Sequence, residues 1–383
     1  FIVIISILIY VIPIDIFKRK TSFNPESDIS IAILPIEYIG EKEENSWIAT
    51  GITSEIRRNL SRIPNVKVTP AFSSSFVYNQ DQNDIQTVSE KLGVRYLVEG
   101  SMQIIGDKAQ LNISLIDAPN NEIDFDEQYS FILKDIFEIQ HNIANQVAAK
   151  IRPAFVTFLA SEKDENVNRT AYEKYLHGRY IWNNWMEMNL NRQEIESDYM
   201  DAINIDPDFS LPYAGLAELY LNLAHLGLPG IDMFPLSIEY AEKCLELDSN
   251  SFLALSANAD CQYHFNYAWD VSEIHFQKAF NINPNDVTGL LYYSGMLSAM
   301  NRHEKALEII ERAINADPFY NVISSWKIRT YYWARDFENA RIALDKYHTM
   351  FPGINYGWMY INYPLIFPDS NSVDILKEKV IEI

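Results

Sequence analysis

The feature that most constrains the fold of this chain is a short segment that recurs along its second half. Each copy ends a predicted helix and closes with proline or serine, and the five copies are AINIDP, CLELDS, AFNINP, AINADP and YHTMFP. The closing residues are Pro207, Ser249, Pro284, Pro318 and Pro352. They are separated by 42, 35, 34 and 34 residues. A period in this range indicates a stack of similar helical units.

A second pattern recurs at three positions in each copy, which lie 12, 8 and 5 residues before the closing residue. These positions hold mostly small and large apolar side chains. In the five copies they hold Ile195, Tyr199 and Ala202; Ser237, Ala241 and Cys244; Ser272, Phe276 and Ala279; Ala306, Ile310 and Ala313; and Ala340, Leu344 and Tyr347. Residues three and four apart share one face of a helix, and proline cannot continue a helix. The pattern therefore predicts the second helix of each unit, ended by the proline-containing turn.

The period and these motifs resemble the tetratricopeptide repeat over residues 170–383. About five copies are present, and a truncated sixth opens at Trp358. One first helix fits the repeat poorly, at Ser324, Lys327, Ile328 and Tyr331. The long gap of 42 residues contains an insertion around HLGLPGIDMFP, which we expect to form a loop between helices.

Stacked helix pairs leave a concave groove lined by their first helices. The resemblance implies a protein or peptide ligand in this groove. The carboxylate-clamp version of the repeat needs basic and Asn residues there, whereas two of the predicted lining residues are acidic. A basic or mixed basic–aromatic segment is therefore the expected ligand, unless the tyrosines pack between helices instead. By register, the residues facing the groove are Glu218, Leu221, Asp260, Tyr263, Arg329 and Tyr332.

The region before the repeats, residues 28–152, alternates strand and helix patterns. SIAILPI is typical of a buried strand, residues 46–63 carry helical spacing, and NVKVTP predicts a second strand. A second helix is predicted over 84–93, followed by three strands and a helix over 134–151. This order predicts an α/β fold whose mixed sheet begins with parallel strands and ends with antiparallel ones.

Two glycines in VEGSMQIIGDKAQLNISLID raise the question of a phosphate-binding loop. Such a loop needs glycines between a strand and a helix N-terminus, whereas strand patterns flank both glycines here. Gly106-Asp107 instead predicts a two-residue hairpin turn. Gly100 predicts a bulge or a close backbone approach.

The ordered motifs of residues 28–152 resemble the TolB-amino-terminal-like domain of bacterial membrane-bound signalling proteins. One departure is Ile123-Asp124-Phe125, where that family often has Leu-Trp. The resemblance implies a sensory portion carboxy-terminal to a membrane helix, with a nucleotide cyclase or winged-helix domain before the membrane. It also implies that the repeats lie in the periplasm.

The first residues, FIVIISILIYVIPI, contain Ser6 as their one polar side chain. A signal-peptide core, a buried strand and a truncated transmembrane helix are the alternatives, and we favour the helix, over residues 1–17. Residues 18–27 and 153–169 are the predicted linkers. KRKTS after the helix would place the following region in the cytoplasm by the positive-inside rule, but the family resemblance favours a periplasmic location at the inner membrane.

The residue pattern predicts no catalytic, cofactor-binding or metal-binding site. The seven histidines show no ligand spacing, Cys244 and Cys261 form no zinc motif, and no nucleophile–base pair is recognisable. A net charge of −21 argues against direct binding of nucleic acid. We therefore expect a non-enzymatic sensory or protein-interaction portion of a signalling protein. The alternative is a structural assembly adaptor without signalling output, and the residues before Phe1 would distinguish the two.

Overall fold

A computed structural model describes most of both predicted units. The described residues are 29–40, 45–61, 63, 66–81, 84–133, 136–151, 167–183, 192–225 and 230–351. The predicted membrane segment, the first linker and the truncated sixth repeat lie outside these residues, as does most of the second linker. None of the helices within the described ranges is long and apolar enough to cross a membrane.

The described part of the first unit contains a mixed sheet of six strands. They are β1 (Ile29–Ile33), β2 (Glu37–Tyr38), β3 (Val66–Val68), β4 (Tyr96–Ile105), β5 (Lys108–Asp117) and β6 (Glu122–Ile132). β1 pairs in parallel with β3 and β4, and the short β2 also pairs in parallel with β4. β4, β5 and β6 pair in antiparallel order. The structure confirms the predicted mixed sheet.

Helices cover both faces of this sheet. Both faces of β1 are apolar, so each must be shielded from water by packed helices. They are α1 (Ser46–Ser61), α2 (Ala71–Asp81), α3 (Ile85–Leu92) and α4 (Ile136–Ile151). Ile31 and Ile33 belong to a core cluster with residues of α1 and α4, whereas Ala32 and Leu34 belong to one with residues of α2 and α3. Alternate residues of a strand point to opposite faces, which explains the continuous apolar run. The sequence pattern predicts α1, α3 and α4 but not α2.

The predicted hairpin joins β4 to β5. Ile105 and Lys108 are paired across it, and Gly106 has φ of 66°, which favours glycine. A Cβ on Gly100 would lie 2.4 Å from the carbonyl oxygen of Asn112, so the close backbone approach is confirmed. The irregularity in the sheet lies elsewhere, between Leu115 and Ile116 where β5 pairs with β6.

The described part of the second unit consists of five consecutive helix pairs. They are α5 (Arg169–Asn183) with α6 (Arg192–Ile205), α7 (Ser210–His225) with α8 (Gly230–Leu247), α9 (Phe252–His264) with α10 (Trp269–Ile282), α11 (Val287–Ala299) with α12 (His303–Ala316), and α13 (Asn321–Trp333) with α14 (Phe337–Met350). This confirms the helical repeat array. The prediction that the insertion forms a loop is wrong in part, because its second half starts the 18-residue α8, which contains Pro235.

The recurring pattern of the second helices is the core of the array. All of its positions are buried, with at most 3% of any residue exposed. The hydroxyls of Ser237 and Ser272 donate hydrogen bonds of 2.8 and 2.7 Å to the carbonyl oxygens of Ala217 and Ala259 in the paired first helices. A small residue therefore lets the two helices approach closely, and its hydroxyl is satisfied by the neighbour's backbone.

The poorly matching first helix nevertheless forms, as α13. Ile328 is fully buried there, whereas Ser324, Lys327 and Tyr331 are only half-buried. The poor match in sequence therefore corresponds to positions that contribute little to the core.

The array contacts the α/β unit at two separated places. At its start, the ring of His177 on α5 lies 5.5 Å from the ring of Trp47 on α1. Near its end, the turn before α13 meets α2, where Asp317 accepts hydrogen bonds from the backbone N–H of Ser73, at 3.2 Å, and from its hydroxyl. The ring of Phe319 lies 5.5 Å from that of Phe76. The array thus returns to the unit from which it starts.

Candidate functional site in the repeat array

The six predicted groove residues lie on the first helices α7, α9 and α13, but several of them are buried. Leu221 and Tyr263 are 1% and 6% exposed and belong to the core cluster of the array. Asp260 is completely buried. Arg329 and Tyr332 are half-buried, and the ring of Tyr332 lies 5.6 Å from that of Phe337 on α14. Much of the predicted groove lining is therefore interior.

Glu218 is held by an ion pair across two first helices. Its carboxylate accepts a hydrogen bond of 2.6 Å from the guanidinium of Arg179 on α5, and both side chains are largely buried. Burial lowers the pKa of Arg179, but the charge and hydrogen bond of Glu218, together with Tyr199 and Tyr175, raise it overall. This acidic groove residue is therefore already neutralised by a neighbour.

Asp260 lies between two histidines at the ends of neighbouring first helices. Its Oδ2 is 2.6 Å from Nε2 of His225, the last residue of α7, and 3.2 Å from Nδ1 of His264, the last residue of α9. Burial alone would raise the pKa of Asp260, but the charge and hydrogen bond of His225 together with those of His264 lower it to about 2. Burial would lower the pKa of His225, and Asp260 raises it overall.

Aromatic rings surround this cluster. Tyr292 of α11 stacks on the ring of His225 at 5.3 Å, and Tyr263 lies 3.8 Å from that of His264. Phe234 of α8 is 6.0 Å from the ring of His225 and 5.8 Å from that of His264. The two imidazoles are thus positioned between apolar surfaces and one carboxylate.

Arg329 brings a positive charge to the same side of the array. Its guanidinium lies 4.6 Å from the ring of Trp326 and 5.6 Å from that of Trp333, all on α13. Its charge reaches His225, where it opposes the effect of Asp260 on the histidine pKa. The charge of Arg329 also reaches Tyr263, and the charges of Glu218 and Asp260 both reach Tyr292.

Spacing in the sequence does not reveal the two histidines. His264 follows Asp260 by four residues, so the two share a helix face, and this is the one local signal. His225 lies 35 residues before Asp260 and reaches it only because α7 and α9 pack side by side. Two of the seven histidines are therefore neighbours in the fold although they lack a ligand motif in the sequence.

A separate surface cleft of about 560 Å³ lies near α8 and the turn after α9. Tyr213, Ile238 and Phe265 line its apolar part, and Glu239 and Lys243 are among its charged residues. The predicted groove residues do not contribute to its lining.

Residues 27–146 match a family model described as the second domain of a HilA/YgeH-like transcriptional regulator. This range includes nearly all of the α/β unit, from β1 into α4. The match covers less than half of the chain.

Two curated relatives differ in the function that their names give. The chain is 29% identical over 198 residues to "Putative adenylate cyclase 3" of Rhizobium meliloti (strain 1021), which is 50% of this chain and 32% of that protein. It is 23% identical over 317 residues to the transcriptional regulator HilA of Salmonella typhimurium (strain LT2), which is 81% of this chain and 55% of that protein. The chain thus spans about a third of the first relative and about half of the second.

Solved structures with a similar course of the backbone include a tetratricopeptide repeat protein and a TolB. The repeat protein, from Parabacteroides merdae, is 13% identical, with a TM-score of 0.40 over 64% of this chain and 84% of that chain. TolB from Acinetobacter baumannii is also 13% identical, with a TM-score of 0.26 over 33% of this chain and 29% of that chain.

Proposed function

We propose that this chain is the sensory, protein-interaction portion of a membrane-anchored bacterial signal-transduction protein. The repeats bind a protein or peptide partner, and residues 1–17 anchor the chain in the inner membrane with the repeats in the periplasm. The relatives support an input role, because one is named as a cyclase and the other as a transcriptional regulator, and both extend beyond the matched region. A sensory region that is shared by signalling proteins would be found together with different effector domains, such as a cyclase in one protein and a transcriptional regulator in another.

The accessible end of the groove side, at α13, carries the proposal. Arg329 lies over Trp326 and Trp333, and Trp333 is 42% exposed. Arginine and tryptophan are enriched among the residues that dominate binding energy at protein interfaces. The buried acidic residues offer less to a partner, because Glu218 pairs with Arg179 and Asp260 with two histidines. The prediction of a basic ligand rested on free acidic residues in the groove, and these residues are already paired. We therefore propose a protein or peptide ligand without requiring it to be basic.

The test compares Trp333→Ala with Ile342→Ala, an exposed apolar residue of α14 that is 58% exposed and serves as the matched control. The full chain, purified from membranes of the native host, should co-purify with fewer partner molecules when Trp333 is replaced. The melting temperature of both variants should stay close to that of the wild type. Equal recovery of the co-purifying proteins from both variants would remove α13 as the binding surface.

The location is tested independently by topology reporters. Alkaline phosphatase, active only in the periplasm, and β-galactosidase, active only in the cytoplasm, are each fused after residue 28. High phosphatase activity with low galactosidase activity is the expected result. The reverse pattern would place the repeats in the cytoplasm and contradict the periplasmic part of the proposal.

A further inference from the structure

The cluster of His225, Asp260 and His264 has the composition and the spacing of a metal site. One nitrogen from each imidazole and one carboxylate oxygen all lie within 4.8 Å of one another. The ligands come from the ends of two packed helices rather than from a flexible loop. Both histidine side chains remain partly accessible, at 28% and 33% exposure, so an ion has a route from solvent.

The buried carboxylate supplies an independent observation. Oδ1 of Asp260 is buried and has no hydrogen-bond partner of normal geometry among the described residues, although the hydroxyl of Tyr263 also interacts with this carboxylate. A buried charge is costly unless it is paired or coordinates a metal. The two histidines therefore satisfy Oδ2 of Asp260, whereas Oδ1 lacks a partner of comparable strength.

The donor set selects the kind of ion. Two imidazole nitrogens and one carboxylate oxygen are ligands of zinc in sites that keep a fourth position open. Hard ions such as Ca²⁺ and Mg²⁺ prefer sets made of oxygen atoms. The chain as a whole carries a net charge of −21, which favours cations in general, although Arg329 nearby opposes one.

The distances require a movement of His225, because the three ligand atoms lie within 4.8 Å of one another rather than at equal separations. Ligand atoms about 2.0 to 2.1 Å from a tetrahedral zinc ion lie about 3.3 Å from one another. The distance from Asp260 to His264 is already 3.2 Å, and that from Asp260 to His225 is 2.6 Å. Rotation of the His225 side chain at the end of α7 would supply the difference, and the proton shared with Asp260 would leave as the ion binds.

We propose that His225, Asp260 and His264 bind one divalent transition-metal ion of the zinc type. The ion would join the ends of α7 and α9 and so tie two successive repeats together. Tyr263, Tyr292 and Phe234 shield it with apolar surface. This site shares no ligand residue with the partner surface at α13, and the two tests use different variants and readouts, so either proposal can fail alone.

The test is a calorimetric titration of the full chain with ZnCl₂ near neutral pH, after removal of bound metal with a chelator. One site per chain is expected. His225→Gln and His264→Gln should each weaken zinc binding at least tenfold, because glutamine keeps the polarity and much of the volume but is a poor zinc ligand. His303→Gln is the matched control, since His303 contacts Asn301 and lies in another helix pair, and it should bind zinc as the wild type does.

Two further readings make the result decisive. Circular dichroism before metal addition shows whether each variant is folded, and the exposure of both histidines leads us to expect that it is. Co²⁺ added to the wild type should give the visible absorption of a four-coordinate ion, and this should be lost in His264→Gln. Absence of zinc binding, or equal affinity in the wild type and both histidine variants, would overturn the proposal.

Discussion

Two buried carboxylates of the α/β unit and two of the repeat array have partners of different kinds, although Glu218 of the array also pairs with an arginine. In the α/β unit, Glu55 pairs with Arg58 and Asp117 pairs with Arg95, each at 2.7 Å. In the array, Asp286 accepts a hydrogen bond of 2.6 Å from the hydroxyl of Ser256, and Asp317 relies on Ser73. Arginine keeps its charge at any ordinary pH, whereas a hydroxyl brings no charge at all.

This difference makes Asp286 and Asp317 of the array sensitive to pH. Burial raises the pKa of Asp286 to about 6, against an opposing effect of the Ser256 hydrogen bond. Burial likewise raises the pKa of Asp317 to about 6, and the hydrogen bonds from Ser73 and the charge of Arg57 only reduce the shift. A carboxyl whose pKa is raised by folding binds its proton more tightly in the folded state. Its contribution to stability is therefore greatest at low pH and declines as pH rises from about 4 through about 6.

The largest expected effect comes from breaking an arginine pair in the α/β unit. Arg95→Met keeps most of the stem but leaves Asp117, which is only 4% exposed, without its cation. Removing one partner of a buried ion pair costs about 3 to 5 kcal/mol. We expect about 3 kcal/mol, because Arg95 itself remains partly solvated and Asn120 still donates to Asp117.

Urea denaturation at pH 7 measures this loss, with the far-ultraviolet signal as the probe. A loss well below 1 kcal/mol would show that the arginine pairs of the α/β unit do not hold its buried carboxylates, and the comparison between the two regions would fail.

Replacing Asp317 tests whether a buried carboxyl of the array that pairs with a hydroxyl makes stability depend on pH. Asn can still accept the hydrogen bonds from Ser73 but cannot ionise. In the wild type, ionisation of a group shifted from 3.8 to about 6 costs up to about 3 kcal/mol at pH 7, at 1.36 kcal/mol for each pKa unit. Asp317→Asn should therefore remove part of the fall in stability between pH 4 and pH 7.

The measurement is a series of urea denaturations from pH 4 to pH 8 on the wild type and on Asp317→Asn. The two stability curves should diverge as pH rises, with the variant relatively more stable above pH 6. Parallel curves over the whole range would show that Asp317 does not titrate in this window.

Sequence patterns predict the array core better than its groove side for a physical reason. The positions on the second helices, such as Tyr199, Phe276 and Ile310, are set by contacts within and between neighbouring units, and those contacts repeat. Whether the groove side is open depends instead on how tightly the array winds, which no local pattern records. For that reason the register assigns Glu218 and Asp260 to first helices but does not reveal that they are paired and largely buried.

The α/β unit shows the same limit at α2. Its sequence, AFSSSFVYNQD, contains three serines, which favour turns and caps over helix interiors. Tertiary contacts decide the outcome, because Phe76 and Val77 pack in the cluster with Phe319, and Ser73 bonds to Asp317. The partners lie more than 240 residues away in the chain, beyond the reach of any window of local pattern.

A smaller effect should come from removing the hydroxyl that supports Asp286. Ser256→Ala deletes the hydrogen bond to its carboxylate, and a lost bond of this kind costs about 1 to 3 kcal/mol when the group is buried. Since the hydrogen bond lowers the pKa of Asp286, its loss should raise that pKa further. The cost should therefore be larger at pH 8 than at pH 5, where the carboxyl is mostly protonated.

Thermal melts at pH 5 and pH 8 measure that dependence, with Ser325→Ala as the control. The Ser325 hydroxyl donates to the carbonyl oxygen of Val322 and not to a carboxylate, so its removal should cost the same at both values. A cost for Ser256→Ala that does not change with pH would mean that Asp286 has the same protonation state at pH 5 and at pH 8, and would contradict a pKa between them.

The smallest effect is expected at a surface ion pair, and it separates burial from charge as the cause of the contrast. Lys91 lies 2.6 Å from Asp81 in the α/β unit, and both side chains are partly exposed, at 33% and 22%. Exposed pairs of this kind contribute about 0 to 1 kcal/mol, because water already solvates both charges. Lys91→Met should therefore change the free energy of unfolding by about 0.5 kcal/mol or less at pH 7, measured by the same urea denaturation as Arg95→Met. If Lys91→Met lowered the free energy of unfolding as much as Arg95→Met, pairing with a cation would stabilise a carboxylate regardless of its burial. The difference between the two regions would then lie in the number of cations that pair with their carboxylates, and not in how deeply those carboxylates are buried.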